Sequence, residues 1–459
     1  MTNDVIDGFL EKLGYPIAMS GKHRQLMKEW HAWYRGKVDS FHNYTVYNGF
    51  ENVDCEKLTL GMAKRSAEDW ADLLLNEKVE IMTASQNALD AILEANNFRD
   101  RANQLIELAF ALGTGAFVAY ASPSRTDRPV TINYINGLMI RPLKIENGEI
   151  VDCAFASQLN QDEYYITLHT RQPDGSYRIE NIVFSEKSGQ YSVKNLPGGV
   201  KPIVKSPVKL FWIVKPNLVN NIELDEAMGL SVYANAVDEM KDVDTKYDSY
   251  ENEFVLGRKR IFVRGDTVQV NIGPDGKPRP AFDTKDTVFY AIPMEDKEAK
   301  PIQETDSKLR VEEHDRGLQT ALNLFGDKVG FGADHYVFRD GKVYTNEAQV
   351  ISTNSKMYRR LKKHELLLEP ALIGLTQSVL YLLTGKPYTA DVSVNFDDSI
   401  IEDTAEKKRQ ALLEFNAGLI DAVEYFKLTR NMDQAAAEKF VQEIEARKPE
   451  VEEEPEPEE

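Results

Sequence analysis

Cysteine is scarce in this chain. Cys55 and Cys153 are the only two in 459 residues, with no CxxC pair and no ligand-spaced run, so neither a disulfide framework nor a cysteine zinc site is supported. That scarcity fits a reducing compartment. No stretch reaches 18 consecutive apolar residues, which argues against a membrane span. The opening MTNDVIDGFLEKLGYPIAM lacks a basic start followed by an unbroken apolar run, and does not read as a secretory signal. Basic charge is in deficit: 55 Lys and Arg against 74 Asp and Glu leave a formal net charge of -19. This excludes general affinity for nucleic acid backbone, which lysine and arginine carry, but not the transit of nucleic acid past the protein. Catalytic signatures are missing as well. The GTGAF segment at 113–117 has no Walker Lys-Ser/Thr pair and no following helix, so it is expected to be a tight helix-to-strand turn. GxSxG is absent, and His23, His31, His42, His169, His314, His335 and His364 stand outside HExxH or any other metal spacing.

What is present is a folded composition, with 42% hydrophobic and 10% aromatic residues, in a chain longer than one usual core. Its most distinctive stretch is 224–258. Leu230, Tyr233, Val237, Met240, Val243, Tyr247, Tyr250 and Phe254 recur at gaps of three and four, the period of one helix face. No proline interrupts it, and about 30 residues of helix would make a rod of roughly 45 Å. Acidic and basic side chains crowd the other faces. The seam is narrower than the apolar stripe of a core-facing helix, which predicts a rod packed against neighbours like itself with its other side wet.

Before the rod, residues 1–125 read as helical, with runs at 23–38, 58–75, 84–95 and 98–112. Residues 129–214 change to period two. VTINYI, YYITLHT, YRIENIVF, YSVKNL and KLFWIV, separated by ENGE, PDGS and KSGQ, predict an antiparallel meander. After the rod, strand alternation resumes over 258–293 with basic residues Arg258, Lys259, Arg260, Arg264, Lys277 and Arg279, and a helical run at 306–325 leads away. A hairpin of helices carrying a small strand module at its tip is the expected geometry. Then follow a glycine-bearing loop, a capping box at Asn346 and Gln349, and a helix to about Leu383 with Pro370 inside it, where a kink is expected. A short strand, ADVSVNF, precedes amphipathic helices at 404–419 and 433–446. Residues 447–459 are charged, proline-bearing and free of aromatics, and are expected to be disordered.

The order of these elements, with MAKRSAEDWADLLLNE, GLSVYANAVDEMKDVDTKYDSYENEF, GRKRIFV, VGFGADHYVF and TNEAQVISTNSKMYRRLKKHE spread over nearly the whole chain, resembles the portal proteins of tailed bacteriophages, of the type common in phages of Gram-positive hosts. The resemblance implies an α+β, ring-forming portal fold. Its regions would be a wing (1–225), a first stem helix (226–257), a clip (258–305) and a second stem helix (306–325). A tunnel loop (326–345), a long kinked helix (346–385), a crown (386–446) and the acidic tail (447–459) would follow. It implies a dodecameric, non-enzymatic conduit at one capsid vertex of the virion, assembled in the host cytoplasm, with no cofactor, no metal and no membrane. Double-stranded DNA would pass through it, driven by a separate terminase large subunit. Major capsid, scaffolding and head-completion or adaptor proteins would be its partners. Lys241, Lys246, Lys308, Arg310, Arg316 and Lys328 are the candidate DNA-channel residues, with pairing to neighbouring carboxylates as the alternative. Lys259, Arg260, Arg264, Lys277 and Arg279 are the candidate clip docking residues. Two other classes remain open: another head-tail connector, against which the length counts, and a metal-dependent nuclease using paired acids such as Asp397 and Asp398, or Glu312 and Glu313. In so acidic a chain such pairs are ordinary solvated surface.

Overall fold

Tryptophan and alanine at helical spacing gather the amino-terminal helices around one core. The computed structural model describes residues 2–47, 49–75, 79–122, 127–198, 200–264, 271–272, 274, 278–279, 289–292, 302–305, 308–337, 347–396, 404–430 and 434–445. Within it, α1 (Thr2–Lys12), α2 (Gly21–Tyr34), α3 (Asp39–His42), α4 (Met62–Leu74), α5 (Gln86–Ala95) and α6 (Phe98–Leu112) precede Gly113. Met27, Trp30 and Trp33 of α2 meet Ala67, Trp70, Ala71 and Leu74 of α4 and Leu105, Ile106 and Ala109 of α6 in one cluster. Each set lies three or four residues apart, so each helix buries one face. Two expected helices are shorter than their periodicity. The run at 23–38 stops at Tyr34, and the one at 58–75 starts at Met62 because residues 58–60 hydrogen-bond elsewhere. The region is also not wholly helical. It contains the antiparallel hairpin β1 (Asn43–Tyr47) and β2 (Asn52–Glu56), and β3 (Glu80–Thr83), which pairs with residues Val392–Asn395 far along the chain.

Gly113, at φ +84, closes α6, and β4 (Gly115–Ala121) follows as the tight turn predicts. A side chain at Gly113 would strike the carbonyl of Gly229, so this turn also admits a second backbone at close range. The strands that follow divide into two sheets, not the single meander expected. β5 (Val130–Asn136) joins β4, whose other edge takes β12 (Phe211–Val214). Between them β6 (Ile140–Glu146), β7 (Glu149–Gln158), β8 (Glu163–Arg171), β9 (Tyr177–Lys187) and β10 (Gln190–Lys194) form an antiparallel sheet in sequential order, with β11 (Ile203–Ser206) also pairing β9. Asn147 and Gly148, at φ +50 and +77, make the two-residue turn that ENGE predicts. Alternation sorts the faces of β7: Ala154 and Ala156 pack under Ile6, Phe9 and Leu10 of α1, while Cys153 and Phe155 face the main core.

The rod is the main departure in helix length. Helix α7 spans Val237–Leu256, 20 residues, and begins well after residue 224. Ala227, Met228, Leu230, Val232 and Tyr233 are buried, but in an irregular segment followed by one 3-10 turn. There Gly229 passes against Gly113, donating its amide to the Thr114 hydroxyl at 2.9 Å, and the Val232 amide bonds the Phe110 carbonyl at 3.0 Å. Those bonds to the end of α6 take the place of helical ones. Beyond α7 come β13 (Arg260–Arg264), β14 (Asn271–Ile272), β15 (Pro278–Arg279), β16 (Phe289–Ile292) and β17 (Ile302–Thr305). β13 pairs β16 in parallel and β17 antiparallel. Helix α8 (Val311–Val329) then returns along α7, four residues longer at its end than the run at 306–325 and starting five later.

The remaining elements are α9 (Glu347–Thr384), β18 (Val392–Asn395, the partner of β3), α10 (Thr404–Asn416), α11 (Ala422–Arg430) and α12 (Gln434–Glu445). Helix α9 continues through Pro370. By length and composition its Lys356–Thr384 stretch could cross a membrane, yet half of its most apolar part is buried in this fold. Leu368, Ala371, Leu372, Leu375, Val379 and Leu380 pack in the main core, which accounts for the apolar composition. Asn346 of the expected capping box, 338–345 of the expected tunnel loop, Asp397 and Asp398, and the tail 447–459 lie outside the described residues.

Candidate functional site

The expected channel and docking cations lie on the α7–α8 hairpin and the strands at its tip, so the site is built from that hairpin. Ion pairs at both ends show that its helices run antiparallel. Near the tip, the Arg310 guanidinium grips Glu253 with Nη2 at 2.7 Å and Nε at 3.2 Å, and the Arg310 amide adds a bond of 3.0 Å. His314 Nε2 lies 3.4 Å from the same carboxylate. Hydrogen bonds from the Arg310 side chain and amide hold the Glu253 carboxyl down at about 2. At the other end Lys328 pairs with Glu239 at 3.3 Å.

The root of α7 is fastened to the amino-terminal helices by a buried carboxylate. Asp244, 3% exposed, accepts the Leu60 amide at 2.8 Å and the Thr59 hydroxyl at 3.2 Å, and lies 3.2 Å from Nε2 of buried His42. Burial pushes the Asp244 carboxyl up, and these bonds oppose the shift. Asp248, one turn on, accepts the Leu58 amide at 3.0 Å. The apolar seam is correspondingly uneven. Met240 and Val243 are buried in the chain's own core, whereas Phe254 at the far end of the seam is 40% exposed, and Val255 and Leu256, off the seam beside it, are 49 and 65% exposed. The seam is therefore covered by its own fold at the root and left open at the tip.

Five of the six candidate channel cations have a carboxylate of the same chain within reach. Lys241 pairs with Asp238 at 3.2 Å, Lys246 with Asp242 at 2.5 Å, Arg316 with Glu312 at 3.9 Å, and Arg310 and Lys328 as above. Lys308 is exposed and has no ion-pair partner among the described residues. The six are spread along the hairpin and do not form one cluster. Of the docking candidates, Lys259 pairs with Glu304 of β17, Arg260 and Arg264 bound β13, Arg279 stands in β15, and Lys277 lies outside the described residues. His335 stacks on Phe331 at 4.4 Å between ring centroids, with Nε2 3.4 Å from Asp69, a packing position.

A stronger concentration of positive charge lies where no candidate was named. Lys356, Arg359, Arg360 and Lys363 of α9 line a cavity of about 410 Å³ with Asp327, Gly330 and Gly332 at the end of α8. Arg360 donates to the Lys328 carbonyl at 3.2 Å, and Lys356 pairs with Asp327 at 3.1 Å. A side chain at Gly330, φ +105, would collide with Arg360, so the loop leaves α8 close against the guanidinium. The signal was in the sequence: four cations at i, i+3, i+4 and i+7 occupy one helix face. A second group with no local signal, His23, Glu223 and Glu226, meets across two hundred positions of chain.

The family profile described as phage portal protein, SPP1 Gp6-like, matches residues 17–454. No curated protein matches the chain. Among solved structures it is similar to a chain in the virion of a native gene transfer agent particle, at 12% identity and a TM-score of 0.41, covering 80% of this chain and 88% of that one. A chain in the neck of an empty particle of that agent, computed with C6 symmetry, gives 13% identity and a TM-score of 0.40 over 80% and 88%. One in the native neck, computed with C12 symmetry, gives 12% and 0.38 over 80% and 90%.

Proposed function

Because this chain belongs to the phage portal proteins of the SPP1 Gp6-like type, we propose that it forms a closed ring at one capsid vertex, dodecameric in the virion, that conducts double-stranded DNA. A separate ATP-driven terminase packs the DNA through it, and the same bore releases it later. The observation that carries this reading is the family match over residues 17–454. The hairpin supports it: its apolar tip, with the seam residue Phe254 and the neighbouring Val255 and Leu256 uncovered and Leu324 of α8 also 56% exposed, fits contact with sister subunits. A head-to-tail contact of that kind closes into a ring when its rotation divides a full turn.

Charge supports the reading as well. At a net charge of -19, like charge keeps a duplex off the wall, and cations already paired to carboxylates guide the backbone without braking it. Lys241, Lys246, Lys308, Arg310, Arg316 and Lys328 along the hairpin, and the four cations of α9, are the proposed DNA-facing residues. The strands between α7 and α8, with Lys259, Arg260, Arg264 and Arg279, are the proposed docking end for the motor and later for head-completion proteins. The ring would also nucleate head assembly with capsid and scaffolding proteins in the host cytoplasm. It would catalyse nothing itself.

The test is the mass of the purified protein by native mass spectrometry. Twelve copies of 52.1 kDa give about 625 kDa, or a neighbouring closed ring a proportionate mass, and particle images are expected to show a central hole. A monomer or dimer that persists even with capsid and scaffolding proteins present would overturn the ring.

A further inference from the structure

Two distant stretches of chain meet beside the first turn of α2. Ser20 caps that helix, its hydroxyl accepting the His23 amide at 2.9 Å. His23 points inward, wholly buried and edge-on to Trp30 at 5.6 Å between ring centroids. Neither of its ring nitrogens has a hydrogen-bond partner among the described residues. Facing it, the segment between β12 and α7 supplies Glu223 and Glu226, and one ligand atom from each of the three residues lies within 4.8 Å of the other two.

The carboxylates are already oriented. The Ser20 hydroxyl donates to Glu223 Oε2 and the Ser20 amide to Glu226 Oε2, the latter at 2.9 Å. The Met228 amide donates to Glu226 Oε1 at 3.3 Å, Lys22 stands 3.6 Å from Glu223 Oε1, and Asn220 Oδ1 accepts the Glu223 amide at 3.0 Å. Capping of a helix end accounts for the two acids. It does not account for a buried imidazole with both nitrogens idle, which costs free energy until something binds it.

We infer that His23, Glu223 and Glu226 form a site for a divalent transition-metal ion of the Zn²⁺ class, tying the start of α2 to the segment that enters α7. Bonds of about 2.0–2.2 Å set such ligands roughly 3–4 Å apart, so small side-chain rotations complete the set. An imidazole among the ligands favours zinc over calcium and magnesium, which prefer all-oxygen sites. Two carboxylate charges outweigh the positive end of α2 and the neighbouring Lys22. The bonds from Ser20 and Met228 to the carboxylates, with the Glu223 amide held by Asn220 Oδ1, are the outer contacts that hold ligands in place. The role is structural, and it does not depend on the portal reading.

The test uses the full chain in whatever oligomer it forms, stripped with EDTA and titrated with Zn²⁺. One zinc per chain is expected to survive gel filtration, the thermal midpoint to rise by several degrees and return on adding EDTA, and X-ray absorption to show a single imidazole among oxygen ligands. Glu223→Gln and Glu226→Gln are each expected to weaken zinc binding at least about tenfold and to abolish the zinc-induced rise in midpoint, with circular dichroism matching the wild type, which separates a lost site from a lost fold. Absence of bound zinc, or equal binding by wild type and both variants, would overturn the site. A midpoint shift as large with Mg²⁺ would overturn its assignment to a transition metal.

Discussion

Two buried histidines give this protein a pH dependence that no sequence motif announces. His364 lies between the rings of Trp70 and Phe110, its Nδ1 accepting the Asn217 amide at 3.0 Å. His169 lies among Phe155 and Phe211, and neither nitrogen is bonded by a described residue. Burial lowers both to about 3, with Arg360 and Lys363 adding to the effect at His364 and Lys209 at His169. Both are therefore neutral in the folded chain, while the unfolded chain takes up a proton at each below its ordinary value near 6.5. Their contribution is present above pH 6.5 and is lost as pH falls from there toward 3, at up to about 1.4 kcal/mol per pH unit for each group. The unfolding midpoint in urea, followed from pH 6.5 to 5, is expected to fall accordingly. His364→Gln keeps an acceptor for Asn217 without a titrating ring and is expected to make that slope shallower, with His169, His23 and His31, all lowered by burial, carrying the remainder. An unchanged slope would mean that other groups set it.

At the scale of elements, the hairpin is the unit whose geometry the sequence predicts and whose fastening it does not. Helical period over 224–258 and 306–325, with strand alternation between, predicts a helix hairpin with strands at its tip, and the structure has it with helices over Val237–Leu256 and Val311–Val329. The bond of Arg310 to Glu253, 57 positions away, depends on both helices being laid side by side. Glu253→Ala is expected to free Arg310 and His314 together and to speed amide exchange near residues 253–257 and 308–314, leaving α4 and α6 unaffected. The exchanged pair Glu253→Arg with Arg310→Glu is expected to recover part of the protection. If Glu253→Ala alone leaves exchange there unchanged, the fastening lies in the packing of Tyr250 and Phe254 instead. The late start of α7 belongs to this scale too: residues 224–236 carry helical periodicity, but their backbone bonds go to Thr114 and Phe110. Tertiary bonds of that kind override a weak local preference.

Across the whole molecule, charge is distributed unevenly. Against a net charge of -19, the α9 face at Lys356, Arg359, Arg360 and Lys363 concentrates four cations beside the end of α8. Under the portal reading this is the place where a passing duplex would be steered. Changing all four to glutamine is expected to preserve ring mass and to reduce the DNA retained in assembled heads, with the defect growing at low salt, where steering by charge is strongest. Wild-type packaging by the variant would leave these cations as structural partners of Asp327 and the Lys328 carbonyl. Ring mass thus tests assembly, and retained DNA tests the face.

The sequence by itself determined the elements whose signal is local. Helix α6 runs over the very residues its period predicts, Gly113 ends it, and the turns at Asn147 and Ser188 join the strands that ENGE and KSGQ predict. It also carried the family, through strings spread between residues 62 and 365. Only the tertiary structure decided what depends on distant residues meeting: the pairing of β3 with β18, the division of the expected meander into two sheets, the crossing of Gly229 over Gly113, and the gathering of His23 with Glu223 and Glu226. The physical reason is the range of the forces read. Side-chain periodicity reports which face an element buries, whereas hydrogen-bond partners across hundreds of positions are chosen only once those faces have packed.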